Sequence, residues 1–587
     1  MKMHYVHRAL FWASIISIEL LAFGPKSFLG TRSQSVDAYF ELAGWERAIN
    51  TSGKDGCEPV FSVAVRYSRS TDHEKMARIL FDSSSVVFSG SRVPNREKQD
   101  ILADYFGLPN TFKSAVCFNP IITTFCMDFS WYHDLSCLAP GLYYRIHAPI
   151  AHTKWDLNLS ERIINPAVAY NKGEPVPAAH PAGYLGADRI LLSDIPKSVE
   201  SALQGKLLFG DIREPLLYGK VFGRQTLTRI ADVHCAVGWN FLLSDWYHVG
   251  CNARLVVPFG NRTSAEFLFE PIVGDNAHWG AGVGFTSHVD LWYGRDEQHA
   301  IALYVDANVT HLFSARQRRS FDLITNGRGS RYMLLTDNGS PAHNLFFTNT
   351  GNVGGIRAHM QYQRKLVPAI NKTTFDIMVS IAIQTDIAIK CAYIHHNFEW
   401  DIGYGLWTRS KERGVRCQRL EENRFGIKGD AQLYGFDNIP VPPAAYSLNV
   451  TQSQATIQGG QGAGNFEPGR EYANINSDSA QQAFGDTVPF EQLTISDANA
   501  LGVNRLKIGA SADPVFLKDT DIDIRSGLSA CAITHTFFSH INYSWRGYVC
   551  YTPYIGIGAM VEIASCDIKN NNGYGQWGMW LKGGIAY

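Results

Sequence analysis

The sequence predicts an all-β fold: a transmembrane antiparallel β-barrel of about fourteen strands (twelve to sixteen), with long external loops and one or two short helices. Three observations predict it. Runs of about 10–16 residues alternate apolar and polar side chains, the period of a strand with one apolar face. Globular strands average about 5–6 residues, whereas a tilted strand needs this greater length to cross a bilayer. Aromatic residues gather near the ends of the runs, and the connections between runs alternate between short and long.

From the N-terminus, Lys2, His4, His7 and Arg8 precede the apolar stretch Ala9 to Phe23, and Ala22–Phe23–Gly24 supplies small residues for cleavage. Residues 1–24 therefore read as a secretory signal peptide and 25–587 as the barrel. One or more strands are expected between Val60 and Phe88, then Ile121 to Trp131 and Leu142 to Trp155. Next come Ala231 to Phe241, Tyr247 to Val257, Trp279 to Leu291 and Ile301 to Val309. Phe375 to Gln384, Phe398 to Leu406, Phe425 to Leu433, Ile555 to Ile563 and Gln576 to Tyr587 complete the set. Two helices interrupt it, Asn95 to Gly107 and Ser193 to Gly205, each with a polar start and a glycine stop. They are placed either in the lumen, over one mouth, or as loop decoration.

Counting back from Tyr587, segments 158–225, 259–277, 314–352, 385–388, 436–526 and 565–573 fall outside. Segments 242–245, 293–297, 366–372, 407–423 and 544–548 fall on the periplasmic side. Long segments fall outside with two exceptions, the short 385–388 and the long 407–423. Trp239, Tyr247, Trp279, Trp292, Phe313, Tyr404 and Trp407 are the expected aromatic girdles. Residues 436–520, rich in Gly, Gln, Asn, Ser and Ala, read as a large external loop or cap.

The chain has 587 residues, 45% of them hydrophobic, and 52 glycines, which suit turns and a crowded lumen. No apolar run is long enough for a membrane helix, as expected when only alternate residues face lipid. The formal net charge of −1 offers no electrostatic footprint for nucleic acid. There are eleven cysteines and no CxxC, which removes the main support for a zinc or thioredoxin-like site. Cys235 and Cys251 either pair across their hairpin or are simply small outward residues. Cys117, Cys126 and Cys137 lie close in sequence, but spacing does not fix their connectivity.

The expected pore-lining groups are Asp232, His234, Arg254, His288, Asp290, Asp306, Arg357, His359, Asp376, Glu399, Asp401, Glu562 and Lys582. Both signs are present, so no ion preference follows. His395, Asn397, Glu399 and Asp401 are placed on one strand face, where His395 with Glu399 offers a metal pair, but a hydrated wall fits better because ligands must converge from several strands. No metal or cofactor is expected. His299, His311 and His396 fall on the outward face, and His396 there implies a local slip or bulge. Arg316, Arg318, Arg319, Arg328 and Arg331 are expected in an external loop, as a solvated face or as an anion-holding patch. No GxSxG, HExxH or P-loop is present, and no enzymatic activity is expected.

The terminal run sets Trp577, Met579, Leu581, Ile585 and Tyr587 on one face. A chain ending in such a strand with a terminal aromatic resembles the assembly signal of bacterial outer-membrane barrels, with Lys582 where the usual signal has glycine. Several segments also resemble an uncharacterised family of large bacterial outer-membrane proteins. They are Gly90–Ser91–Arg92 through Leu108–Pro109, His147–Ala148–Pro149 through Asp156–Leu157, Phe269 through Gly274, and Asp306 through Asp322. That resemblance implies location in a Gram-negative outer membrane and the barrel fold, with no activity attached. The expected partners are outer-membrane lipids, the barrel-assembly machinery through residues 576–587, and small hydrophilic solutes. The expected function is porin-like passive diffusion. The alternative is a plugged surface barrel serving adhesion or envelope structure, and the two differ in whether the lumen is open or filled by the chain itself.

Overall fold

In the computed structural model, residues 26–587 are described except 36, 45–48, 51–58, 91–92, 95–96, 98–99, 110, 167–195, 207, 209–211, 295–298, 325, 338–364, 423, 428–432, 437–444, 450–516, 547–550 and 566–570. Twelve strands close a barrel in simple up-and-down order. They are β1 (Pro59–Ser70), β2 (Ile121–Asp134), β3 (Leu142–Asp156), β4 (Val233–Leu243), β5 (Tyr247–Val257) and β6 (Gly280–Tyr293). The second half comprises β7 (His299–Ser320), β8 (Thr374–His395), β9 (Phe398–Arg409), β10 (Ala532–Ser544), β11 (Thr552–Ala564) and β12 (Gln576–Ala586). The first and last strands pair, with Val65 opposite Leu581, so no edge is left unpaired around the ring. Closure gives each ring strand a partner on both sides, the condition a membrane interior imposes.

Two further strands bring the sheet to fourteen. Arg224–Ile230 continues β4 across a break at Ala231 and Asp232, and both segments pair with β3. Glu412–Arg416 continues β9 in the same way, and both pair with β8. The paired strands β7 and β8, 22 residues each, are longer than a bilayer requires and carry the wall beyond the ring.

Four expectations are corrected here. Residues 385–388 lie inside the unbroken strand β8, and 407–423 is a strand end with its continuation rather than a turn. Those were the two exceptions to the loop pattern, and both vanish. Phe425–Ile427 is a short strand beside Leu334–Asp337, away from the ring. The segment 366–372 lies on the rim with the long connections, where Leu366–Pro368 joins the same small sheet. The hairpin turns, β8 to β9 at 396–397 among them, share the opposite rim with Tyr587.

Side chains sort by the strand period. Val237, Val283, Ile402, Phe537, Ile557, Met579 and Leu581 are exposed on the outer surface, an apolar belt that only lipid would cover. Trp239, Tyr247, Trp279, Trp292 and Phe313 also point outward. Trp407 does not: it is 2% exposed and faces the lumen, because its neighbours Leu406 and Thr408 hold the outward register. Cys235 and Cys251 are both free, and register sets them against Leu255 and Trp239 rather than each other. Cys117 and Cys126 are free as well, whereas Cys137 is disulfide-bonded.

Above the loop rim the long connections build a second apolar core. Met76, Leu80, Phe112, Val116, Val199, Ile272, Leu335 and Ile370 are buried in it, far apart in sequence. Helix α2 (His73–Phe81) enters it on its Met76, Ala77 and Leu80 face, capped by Asp72, whose side chain accepts from Lys75 N. Among the described residues of the expected Asn95 to Gly107 helix, Ile101–Leu102 instead pairs with Ser85–Ser89 and Ala103–Phe106 is a 3₁₀ turn. The predicted Ser193 to Gly205 helix shrinks to α3 (Val199–Leu203), capped by Ser198. Both segments therefore cover the barrel mouth. Residues 1–24 and most of 436–520 lie outside the described residues.

Candidate functional site

The lumen is occupied by the chain's own N-terminal segment, described over residues 26–35, 37–44 and 49–50, which has contacts at both rims of the ring. At the loop rim Lys26 N donates to Ile79 O and Ser27 N to Ser526 O. Below, Arg409 donates to the Gly30 and Thr31 carbonyls at 3.1 and 3.2 Å. A single helical turn, α1 (Ala38–Leu42), sits at mid-barrel. At the turn rim Asn50 N donates to Tyr132 Oη, and Asn240 Nδ2 donates to Asn50 Oδ1. Strand β1 then starts at Pro59 on that same rim.

Charges of the segment meet opposite charges of the wall. Arg32 lies 3.0 Å from Asp386, 3.4 Å from Glu562 and 3.2 Å from Asp37. Asp37 also pairs with Arg66 of β1. Glu41 lies between Arg145 at 2.7 Å and Arg254 at 3.4 Å, with its own side chain 4% exposed. The short helix is fixed at both ends. Asp386 accepts from Ala38 N, while Lys582 Nζ donates to the carbonyls of Phe40, Glu41 and Ala43. A carboxylate at the first turn and an ammonium on the last carbonyls complement the exposed backbone groups of a helix. Gly44 N donates to Asp401, which with Glu399 holds the buried Lys390.

Apolar contact adds to this. Tyr39 and Phe40 pack on Phe538 and Trp580, with Phe40 and Trp580 edge to face at 5.5 Å. Trp580 is the one large aromatic on the polar face of the last strand, and Gly558 on β11 leaves the space its indole occupies. Beside the segment lies a narrow cleft lined by Arg32, Tyr39, Arg66, Trp407, Glu562 and Gln576.

At the break between Arg224–Ile230 and β4, Ser33 Oγ donates to Asp232 and Ser35 Oγ to the Asp232 carbonyl. Asp275 N donates to the same carboxylate, and Gly274 N to Gln34. Burial pushes the Asp275 carboxyl up to about 6, although Arg409 pulls it down. At the rim, burial lowers the Lys26 ammonium to about 8, against the pull of Asp523 and Glu412.

The residues expected to line a pore divide accordingly. Asp232, Arg254, Asp401, Glu562 and Lys582 contact residues 26–50 directly. Asp306 lies 3.8 Å from Arg145, His234 is buried near Arg254, and Glu399 reaches the segment through Lys390 and Asp401. His288 contacts His248 nearer the turn rim, and Asp290 accepts from Tyr293. Asp376 lies above the ring, held by Arg316 and Arg318 at 2.6 and 2.8 Å. Arg357 and His359 lie outside the described residues.

Two sequence expectations fail on strand geometry. His395 and Glu399 do not share a face: the turn at 396–397 pairs outward His395 with Phe398 and inward Ile394 with Glu399. His396 stands in that turn at φ 53°, not in a bulge on the lipid face. The arginine run is a solvated face in part, though not one loop. Arg316 and Arg318 lie on β7 with exposed side chains, and exposed Arg328 pairs with Asp82. Arg319, also on β7, is buried against Glu412 and Phe28, and buried Arg331 pairs with Asp322.

Sequence reading missed residues 26–50 entirely. The available signal was a stretch before the first strand in which Arg32, Asp37 and Glu41 alternate with Tyr39, Phe40 and Leu42, without strand period. Its charges match inward charges of the wall, but only the closed ring brings them together.

No family model and no curated protein matches the chain. Among solved structures, an outer membrane channel from Pseudomonas putida F1 aligns over 91% of this chain and 99% of its own, at 9% identity and TM-score 0.30. A Pseudomonas aeruginosa FadL homologue aligns over 96% and 98%, at 7% identity and TM-score 0.26. The transport unit of the autotransporter AIDA-I from Escherichia coli aligns over 91% and 92%, at 8% identity and TM-score 0.23. Likenesses this weak carry nothing about function. The closed antiparallel ring and its apolar belt are by themselves the architecture of an outer-membrane β-barrel.

Proposed function

We propose that the protein is a gated outer-membrane channel for small hydrophilic solutes, closed in this conformation by residues 26–50. The observation that carries the reading is how that segment is held. Its Arg32, Asp37 and Glu41 are paired with wall charges rather than sunk in a continuous apolar core. Removing the segment leaves a wall of Arg66, Arg145, Arg254, Asp386, Glu562 and Lys582, a surface that water and polar solutes wet. Passive diffusion then belongs to the state in which the segment has moved, and the cleft beside Arg32 and Tyr39 is where a solute first meets it. The apolar belt supports lipid contact, and the exposed alternating face of residues 576–587 supports delivery by the barrel-assembly machinery.

The test is single-channel recording of the refolded mature chain in a planar bilayer. The intact protein is expected to pass current in rare steps, and deletion of residues 26–50 to give steady ohmic steps. Absence of current from a folded, inserted deletion variant would refute the channel. That result would favour a surface barrel acting through its loops, a reading the apolar core over the loop rim supports.

A further inference from the structure

We infer that His299, His395 and His396 form a binding site for one divalent transition-metal ion of the zinc, nickel and copper class, on the outer side of the turn rim. Strand β7 begins at His299 and β8 ends at His395, and the two residues are direct cross-strand partners. Both point outward, since their neighbours Ala300 and Ile394 are buried toward the lumen. His396 opens the turn to β9 with φ 53°, which takes its ring out of strand alternation and beside the other two. Ring centroids of His299 and His395, and of His395 and His396, are each 4.4 Å apart, and those of His299 and His396 are 5.8 Å apart. One ring nitrogen from each residue lies within 4.8 Å of those of the other two.

The donor set selects the ion. Imidazole nitrogen suits zinc, nickel and copper, whereas calcium and magnesium require oxygen ligands. Bonds of 2.0–2.1 Å to a tetrahedral zinc place ligand nitrogens about 3.3 Å apart. His299 Nδ1 and His395 Nδ1 are already 3.1 Å apart, so only the His396 ring has to close in. Tyr393 Oη lies 3.4 Å from the same His299 Nδ1, a contact that the bond to the ion would replace. Three protein ligands leave a position open to water or a further donor, and the partial exposure of all three rings keeps it accessible. A bound ion would tie the start of β7 to the β8–β9 turn.

The experiment uses the full-length untagged chain, folded in detergent micelles and stripped with chelator, titrated calorimetrically with Zn²⁺ and spectroscopically with Co²⁺. The expected result is one ion per chain, with affinity falling at least tenfold in His299→Ala and in His396→Asn. Asparagine tolerates positive φ and so keeps the hairpin. His288→Ala, in the other histidine cluster near this rim, is expected to leave the titration unchanged. Folding of every variant is checked by heat-modifiable gel mobility. No binding at millimolar Zn²⁺, or undiminished binding in the folded His299→Ala and His396→Asn double variant, overturns the inference. So does a loss in His288→Ala equal to that in the rim variants.

Discussion

Replacing Glu41 by Gln tests how residues 26–50 are held, because it keeps the side-chain shape and removes one charge. In the closed lumen Glu41 lies 2.7 Å from Arg145 and 3.4 Å from Arg254, each of these side chains being 10% exposed or less. Its loss leaves two guanidiniums facing each other without their shared anion. Breaking a buried pair by removing one partner costs roughly 3–5 kcal/mol. Water entering a lumen softens that penalty, so the lower end, about 3 kcal/mol, is the working figure. At about 1.4 kcal/mol per decade, the closed-to-open ratio falls by roughly two orders of magnitude. The assay is open probability in single-channel recording, with conductance per step as the control that the barrel is unchanged. A second substitution, Arg145→Gln, removes one of the two stranded cations, and the double variant is expected to recover part of the closed population. Folded Glu41→Gln protein as closed as the original would refute the reasoning, because the ion pairs would then not hold the segment.

Three further outcomes are expected. Burial raises the Asp275 carboxyl from its usual value near 3.8 to about 6, so the closed state takes up a proton more readily than a hydrated open state. Its stabilising effect is therefore complete below about 3.8 and lost as pH rises through about 6. Open probability should fall between pH 7 and 5, and because Asp275 faces the Asp232 carboxylate, the pair titrates together and the profile should flatten when both are changed to Asn. Leu581→Arg places a charge on the lipid face, where Leu581 is 55% exposed between Val65 and Ile557. Folding into bilayers should weaken by about 2–4 kcal/mol, read from denaturant titration. Phe112→Ala empties a fully buried position in the core above the loop rim and should cost it about 3–5 kcal/mol. Limited proteolysis should then cut the connections while heat-modifiable mobility shows an intact ring; protection equal to the original protein's would disprove an independent loop core.

The barrel strands were legible because side-chain period is a local property. Tyr247 to Val257 was bounded to the residue, and Gln576 to Tyr587 and Leu142 to Trp155 to within one. The failures share a cause. Thr385 to Ala388 looked like a turn, yet Asp386 is a polar residue on an inward face, needed there by Arg32 and Ala38 N. Trp407 looked like a girdle aromatic because it lies near a strand end, but it packs over the guanidiniums of Arg32 and Arg409 inside. In both cases the residue answered to a partner hundreds of positions away. The Asn95 to Gly107 stripe met helix criteria, yet Ile101 and Leu102 gain more from pairing with Phe88 and Ser89 in the loop core.

By itself the sequence determined a strand fold, an apolar face for lipid and a polar face for the interior, since these follow from which residues alternate. It also placed the long connections on one side. Tertiary structure alone decided that twelve strands close the ring, that the interior is occupied, and which charges pair there. Arg32 and Glu562, Glu41 and Arg145, and Lys582 and Phe40 are 530, 104 and 542 residues apart. No local pattern encodes such a distance; the encounters exist only once the ring has closed around residues 26–50 and excluded the water that would otherwise solvate those charges.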